Sequence, residues 1–229
     1  MTLSLHVPLN TSPEQAARLH ALQKAIADVC NAITPIVQQT RCWNRVGLHH
    51  LAYRAMRARF PQVGSQMVCN AIYSVSRTCR LVFQHPNSPL NIAKRPGAAL
   101  PLLMFLPNSP VYFDRHTLSV KDEKLSMYTL DGRMHFQLAL RPEDEARFHK
   151  EKLREIVLSN SAQGFQLIFS FSPDADSEAQ ALPADSSAEF PEYLIVTPGI
   201  VTPETTPGLS NVDARESALP SETMRLPAS

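Results

Sequence analysis

The sequence predicts an α+β fold, an antiparallel β-barrel with a helical domain inserted after its first strand, and three patterns predict it. The first is a meander over residues 111–140, VYFDRHTLSVKDEKLSMYTLDGRMHFQLAL, in which Met134, Phe136, Leu138 and Leu140 alternate with Arg133, His135, Gln137 and Ala139. That two-residue period marks a strand buried on one face. The second is a pair of clean strand patterns far from the meander, one with Leu3, Leu5 and Val7, the other with Phe165, Leu167, Phe169 and Phe171. The third is a series of helical stripes at three- and four-residue steps between them. Three or more strands need a second face or closure to be stable. The distant strands are therefore expected to complete the meander's sheet, and everything between the first strand and the rest is an insertion.

The elements follow in order. A strand over residues 3–9 ends at a turn, and Ser12-Pro13-Glu14-Gln15 starts a helix: Ser12 caps it, Pro13 suits the first helical position and Gln15 completes a capping box. Its stripe is Leu19, Leu22, Ile26, Cys30, Ile33 and Val37, and Pro35 is expected to end or kink it near Ile33. A second helix spans 47–59, with Leu48, Leu51, Ala52, Ala55 and Met56 toward the core and Pro61 as its stop. A third follows Gly64, with Ser65 as its cap, and runs to Phe83 along Val68, Ala71, Ile72, Val75, Cys79 and Val82. Residues 84–101 hold four prolines and form a loop with Lys94 and Arg95 at its tip. Val111 and Phe113, then Leu118 and Val120, supply short strands broken near Asp114 and Arg115. A strand over 125–130 leads into Asp131-Gly132, expected as the central pair of a type I′ turn. A charged helix over 142–152 and a hairpin of 156–158 with 165–171 complete the folded part. From Pro173 the composition shifts to Pro, Ser, Thr, Ala and acid, which cannot bury enough to order itself; disorder is expected over 173–229, apart from an apolar island at 192–200.

Charge is the loudest signal. The net +1 conceals a partition: residues 29–113 contain no Asp or Glu but nine cations, Arg41, Arg45, Arg54, Arg57, Arg59, Arg77, Arg80, Lys94 and Arg95, whereas residues 173–229 carry ten acids against Arg215 and Arg225. Surfaces normally mix signs, so exclusion of acid over 85 residues points to a polyanionic partner. The exposed side of the third helix, with Gln66, Asn70, Tyr73, Arg77 and Arg80, joins amide, aromatic and guanidinium groups that suit phosphates and base edges. His50 and Tyr53 on the second helix extend the set. His49 and His50 are adjacent, so they point about 100° apart on a helix and cannot chelate one metal.

No P-loop, dinucleotide fingerprint, HExxH helix or GxSxG elbow occurs. No catalytic residue, metal ligand or cofactor site is assigned, and Asp131 is explained by its turn. Cys30, Cys42, Cys69 and Cys79 lack metal-site spacing and are expected as buried free thiols. No run approaches the roughly 18 apolar residues of a membrane span and no signal peptide opens the sequence, so a cytoplasmic protein with no membrane partner is expected.

The order of strand, capped helix (SPEQAARLHAL), helices containing HLAYRAMRARFP and GSQMVCNAI, then PVYFDRHTLSV and LSMYTLDGRMHFQL, resembles the N-terminal half of TnpB, the RNA-guided nuclease family related to type V CRISPR effectors. The resemblance covers residues 2–172 and is most specific in FPxxxSQxxxNAI (residues 60–72) and in FDRHTLSV with LDGR. It implies an oligonucleotide-binding-like wedge barrel from residues 1–10 and 101–172, and a helical recognition domain from 11–100. It also implies contact with a guide-type RNA and a double-stranded DNA target. The family continues into a nuclease domain with three carboxylates on two Mg²⁺ ions and a four-cysteine zinc ribbon. After residue 172 little room remains, no Cys follows Cys79, and in Leu194-Ile-Val-Thr-Pro-Gly-Ile200, which resembles the first nuclease strand, Thr197 stands where an Asp normally precedes the turn. The expectation is a nuclease-free, transposon-associated protein that binds RNA and, guided by it, DNA without cleaving it. The alternatives are a split nuclease whose catalytic subunit acts in trans, a guide-independent DNA-binding transposition accessory or repressor, and an interaction protein with an incidental basic face.

Overall fold

Strand pairing brings residues 3–8 beside residues 166–171. In the computed structural model, which describes residues 3–121, 123–172 and 190–197, the elements in chain order are β1 (Leu3–Pro8), α1 (Pro13–Thr40), α2 (Arg45–Arg59), α3 (Ser65–Gln84), β2 (Leu102–Phe105), β3 (Val111–Phe113), β4 (Leu118–Lys121), β5 (Lys124–Thr129), β6 (Gly132–Gln137), α4 (Pro142–Lys150), β7 (Lys152–Ser161), β8 (Gly164–Ser172) and β9 (Leu194–Thr197). They form a four-stranded sheet in the order β1-β8-β7-β3, a three-stranded β4-β5-β6 meander and a β2-β9 pair, with antiparallel pairing throughout. The α+β class and the insertion of helices between β1 and its partner are as the sequence predicts. The expected disordered tail lies outside the described residues, save for residues 190–197.

Register follows the apolar alternation. Leu5 pairs Phe169 and Val7 pairs Leu167 across β1-β8, and Val111 pairs Leu158 across β3-β7, so one face of the sheet is continuously apolar. Phe169 and Phe171 are fully buried, and Phe148 of α4 meets both edge-on with ring centroids 5.0 and 5.2 Å away. α1 reaches the same sheet through His20, edge-on to Phe165 at 4.8 Å.

Four local expectations are corrected. α1 passes through Pro35 to Thr40. Pro35 cannot donate to the Asn31 carbonyl, but the Thr34 hydroxyl donates to it instead at 3.2 Å. Ile33 and Val37, buried on either side, gain more from staying on the stripe than the missing bond costs. The helix ends at Arg41, in the left-handed region (φ 53°), whose N–H donates to Val37 O. α2 starts at Arg45, because the Asn44 side chain accepts from the Val46 and Gly47 amides. Its buried stripe is only Leu48, Ala52 and Met56, with Leu51 48% exposed and Ala55 also outside. α3 has Gly64 at its cap position with no side-chain bond, and Ser65 is already helical. The β5-β6 hairpin is not type I′: Thr129 pairs Gly132, leaving Leu130-Asp131 as the loop, and Gly132 takes the positive φ of 115°. Asp131 stays out of the left-handed region and accepts from Arg18 of α1 (Nη2, 2.6 Å) and from Thr129 Oγ1 (2.7 Å), which lowers its carboxyl below the usual range. The slip is two residues, so the faces of the strand are unchanged.

β2 is a strand for which the sequence states no expectation, and it pairs with β9 inside the apolar island. LLMF at 102–105 carries no alternating signal, yet the Asn31 side chain pairs with both backbone groups of Phe105 (N–H to Oδ1 2.7 Å, Nδ2–H to O 2.9 Å), acting as one rung of a strand. On the other side Leu103 and Phe105 pair Val196 and Leu194. The apolar island is thus the antiparallel neighbour of β2.

The cysteines are free. Cys30 and Cys79 are buried, whereas Cys42 and Cys69 are half-buried. Burial pushes the Cys30 thiol up to about 12. Cys42 gives a test of local packing: a Cβ built on Gly47 would lie 2.8 Å from its Sγ. Gly47→Ala alone is expected to destabilise. In a Cys42→Ala background the same change should be neutral or stabilising, up to the roughly 0.5–1 kcal/mol by which Ala exceeds Gly in a helix. Equal effects in the two backgrounds, read by denaturant titration, would refute the clash.

Candidate nucleic-acid interface

With Leu48, Ala52 and Met56 turned inward, the roughly 100° step of a helix places His50, Arg54 and Arg57 on the outward arc of α2. His50 and Arg54 are exposed; the His50 ring meets His49 edge-on at 6.0 Å, and the Arg54 side chain has no protein partner among the described residues. Arg57 is half-buried and donates to the Val63 carbonyl, tying α2 to the turn before α3. Arg59 lies over the Phe60 ring at 5.4 Å. Tyr53 is half-buried beneath His49, the two rings stacked at 4.7 Å with planes 16° apart. The spacing of four between His49 and Tyr53 is the sequence signal that pairs them on one helix face.

The second group gathers at the end of α1. Arg41 is exposed and donates from Nη1 to Ala98 O at 3.2 Å, which ties down the loop carrying Lys94 and Arg95. A single 3-10 turn over Ile92–Lys94 shapes that loop. Buried Asn91 organises it, accepting from the Ala93 amide and donating to the Gln84 and His85 carbonyls at the end of α3. Lys94 and Arg95 are exposed, and their side chains have no partner among the described residues.

The polar side of α3 is not open. Gln66 donates to Asp114 Oδ2 at 2.5 Å, and Asn70, only 7% exposed, reaches Thr117 Oγ1 at 3.5 Å. Asp114 in turn accepts from the His116 and Thr117 amides and from the Thr117 hydroxyl, closing the turn between β3 and β4. Further along, Tyr73 donates to Glu155 Oε1 at 2.8 Å, Arg77 approaches Glu155 Oε2 at 3.5 Å, and Arg77 Nε donates to the Tyr112 hydroxyl at 3.2 Å. Burial, then Glu155, pushes the Tyr73 phenol up to about 12. Burial alone would lower Arg77, but Tyr112 and Glu155 more than offset it and raise it. Gln66 and Asn70 therefore face the β3–β4 turn and Tyr73 and Arg77 face β3 and β7, all four in a seam, which corrects the expectation of an exposed face. Arg80, half-exposed, has no hydrogen-bonding partner among the described residues. Arg45 lies over Tyr73, with Cζ 5.2 Å from the ring centroid.

Two observations result. The stretches 60–72 and 113–120 touch each other through Gln66–Asp114 and Asn70–Thr117. The cations that remain open, Arg45, Arg54, Arg59, Arg80, Lys94 and Arg95, sit on elements that carry no carboxylate at all. Among the described residues no cluster of His, Cys, Asp and Glu could hold a metal ion, and no helix is long and apolar enough to cross a membrane. The chain matches no protein-family model and no curated protein.

Proposed function

We propose that this chain is a TnpB-like protein that binds a guide-type RNA and, through it, double-stranded DNA, and that it does not itself cleave either. The observation that carries the reading is the acid-free cationic surface of α2, the α1 end and the 92–98 loop, since a field of one sign attracts a polyanion. Two further features support it. The two stretches on which the TnpB resemblance rests pack against each other, so they serve one local structure. The helices also sit between β1 and its partner β8, the split arrangement that a wedge-type, oligonucleotide-binding-like barrel with a helical insertion requires. In this reading the strands of the three sheets are the barrel and α1–α3 the recognition part.

Purification of the protein from its host and sequencing of co-purified RNA tests the reading. A discrete RNA with an invariant scaffold and a variable segment is expected, and the complex should bind DNA matching that segment and leave it intact with Mg²⁺. Random cellular RNA, or none, would overturn the guided reading. DNA binding without RNA would replace it with a transposition accessory or repressor. Cleavage that appears only with a second polypeptide would identify a split nuclease.

A further inference from the structure

Most cations of the interface are flexible side chains in water, but one is mounted. Arg45, the first residue of α2, is exposed and has no hydrogen-bond or ion-pair partner among the described residues, yet its guanidinium carbon lies 5.2 Å from the centroid of Tyr73. Tyr73 is fixed in turn: its hydroxyl donates to Glu155 Oε1 at 2.8 Å, and the Tyr112 ring meets it edge-on at 5.4 Å. Glu155 is held by Arg77 on its other oxygen and enters β7 at a bulge between Leu153 and Glu155, a device that re-aims a strand side chain. The chain of contacts runs from the sheet through a carboxylate to a phenol and ends at a guanidinium.

We propose that Arg45 is a preorganised phosphodiester ligand, its guanidinium carried by the Tyr73 ring so that its N–H fork faces a nucleic-acid backbone. The inference rests on the nucleic-acid-binding reading above and specifies which side chain makes the geometrically demanding contact. A guanidinium presents planar donors that match two phosphate oxygens at once, and one already lying on a ring loses less freedom on binding. Arg80, also near Tyr73 and without a hydrogen-bonding partner among the described residues, adds a second positive charge beside it. Both Glu155 oxygens are occupied by Tyr73 and Arg77. Arg54, exposed on the same helix but lying over no ring, is the built-in control.

The test compares Arg45→Lys with Arg54→Lys, both charge-conserving, on the full chain with a labelled RNA–DNA hybrid of about 20 base pairs as probe. Arg45→Lys should lose about tenfold in affinity with an unchanged salt slope, because the charge stays and the fork goes. Arg54→Lys, in the same interface, should also lose affinity but less, about two- to threefold, since an unmounted cation works mainly as a point charge. Tyr73→Phe, which keeps the ring but frees it from Glu155, should fall between the two. Melting temperatures of the two Lys variants should match the parent. If both Lys variants lose equally, or neither loses, the mounted ligand is overturned while the binding reading stands. If the parent chain does not bind the hybrid at all, both readings are overturned.

Discussion

Affinity of the chain for an RNA–DNA hybrid should fall by about three orders of magnitude between roughly 50 and 200 mM salt. Each phosphate neutralised releases counterions, giving a slope near −0.7 to −0.9 per contact, and about six engaged cations give that fall. Six are open in the structure: Arg45, Arg54, Arg59, Arg80, Lys94 and Arg95. The fourfold variant Arg54→Ala, Arg59→Ala, Lys94→Ala, Arg95→Ala should shallow the slope by about 3. Its melting temperature should scarcely move, because exposed cations of this kind each contribute within about 0.5 kcal/mol. Arg77→Ala should behave oppositely. It strips Glu155 and Tyr112 of their shared partner, so stability falls while the salt slope stays. A flat salt titration, or a fourfold variant that binds as the parent does, would remove the electrostatic basis of the proposed function.

That contrast between Arg77 and Arg54 also marks where the sequence stops being informative. Strand and helix signals are local, and those that depend on one residue's neighbours are legible: the Ser12–Gln15 capping box is present in full, and the alternations at 3–8, 132–137 and 165–171 give the observed faces. What depends on a distant partner is not. α3 shows Gln66, Asn70, Tyr73 and Arg77 as a polar stripe, and a polar stripe looks solvated until Asp114, Thr117, Tyr112 and Glu155 are known to lie against it. These partners are 35 to 82 residues away. β2 is a harder case, because a four-residue run has no period to read and its edge is completed by the Asn31 amide. Pro35 misleads for the reverse reason: the rule that Pro breaks a helix concerns one lost bond, and here the Thr34 hydroxyl fills it. Of the candidate site, the charge partition is visible in the composition. Which cations are open and which are clamped requires the fold.

The same seam should make the protein sensitive to alkali. Tyr73 is pushed up from 10 to about 12 by burial and then by Glu155. Tyr112 and Tyr193 are raised by burial as well. In each case the folded chain holds a phenolic proton that the unfolded chain releases near pH 10, so the unfolded state binds fewer protons in that window. Stability therefore falls as pH rises. It is fully present below the unfolded value and is lost as pH climbs through the folded one, which for Tyr73 is the interval from 10 to about 12. Each tyrosine contributes up to about 1.4 kcal/mol per pH unit. The buried thiols Cys30 and Cys79, both raised by burial from 9.0, add the same sign from pH 9 upward. Denaturant titrations should show a plateau to about pH 9 and then a fall of several kcal/mol over the next three units, with tyrosinate absorbance rising together with loss of helical circular dichroism. Tyr73→Phe should cost about 1 kcal/mol at neutral pH, the hydrogen bond to Glu155, and should flatten the alkaline slope by about one proton. Stability that stays level to pH 12, or a slope that Tyr73→Phe leaves untouched, would mean that the phenols titrate as if in water and that the seam between α3 and β7 is open to solvent.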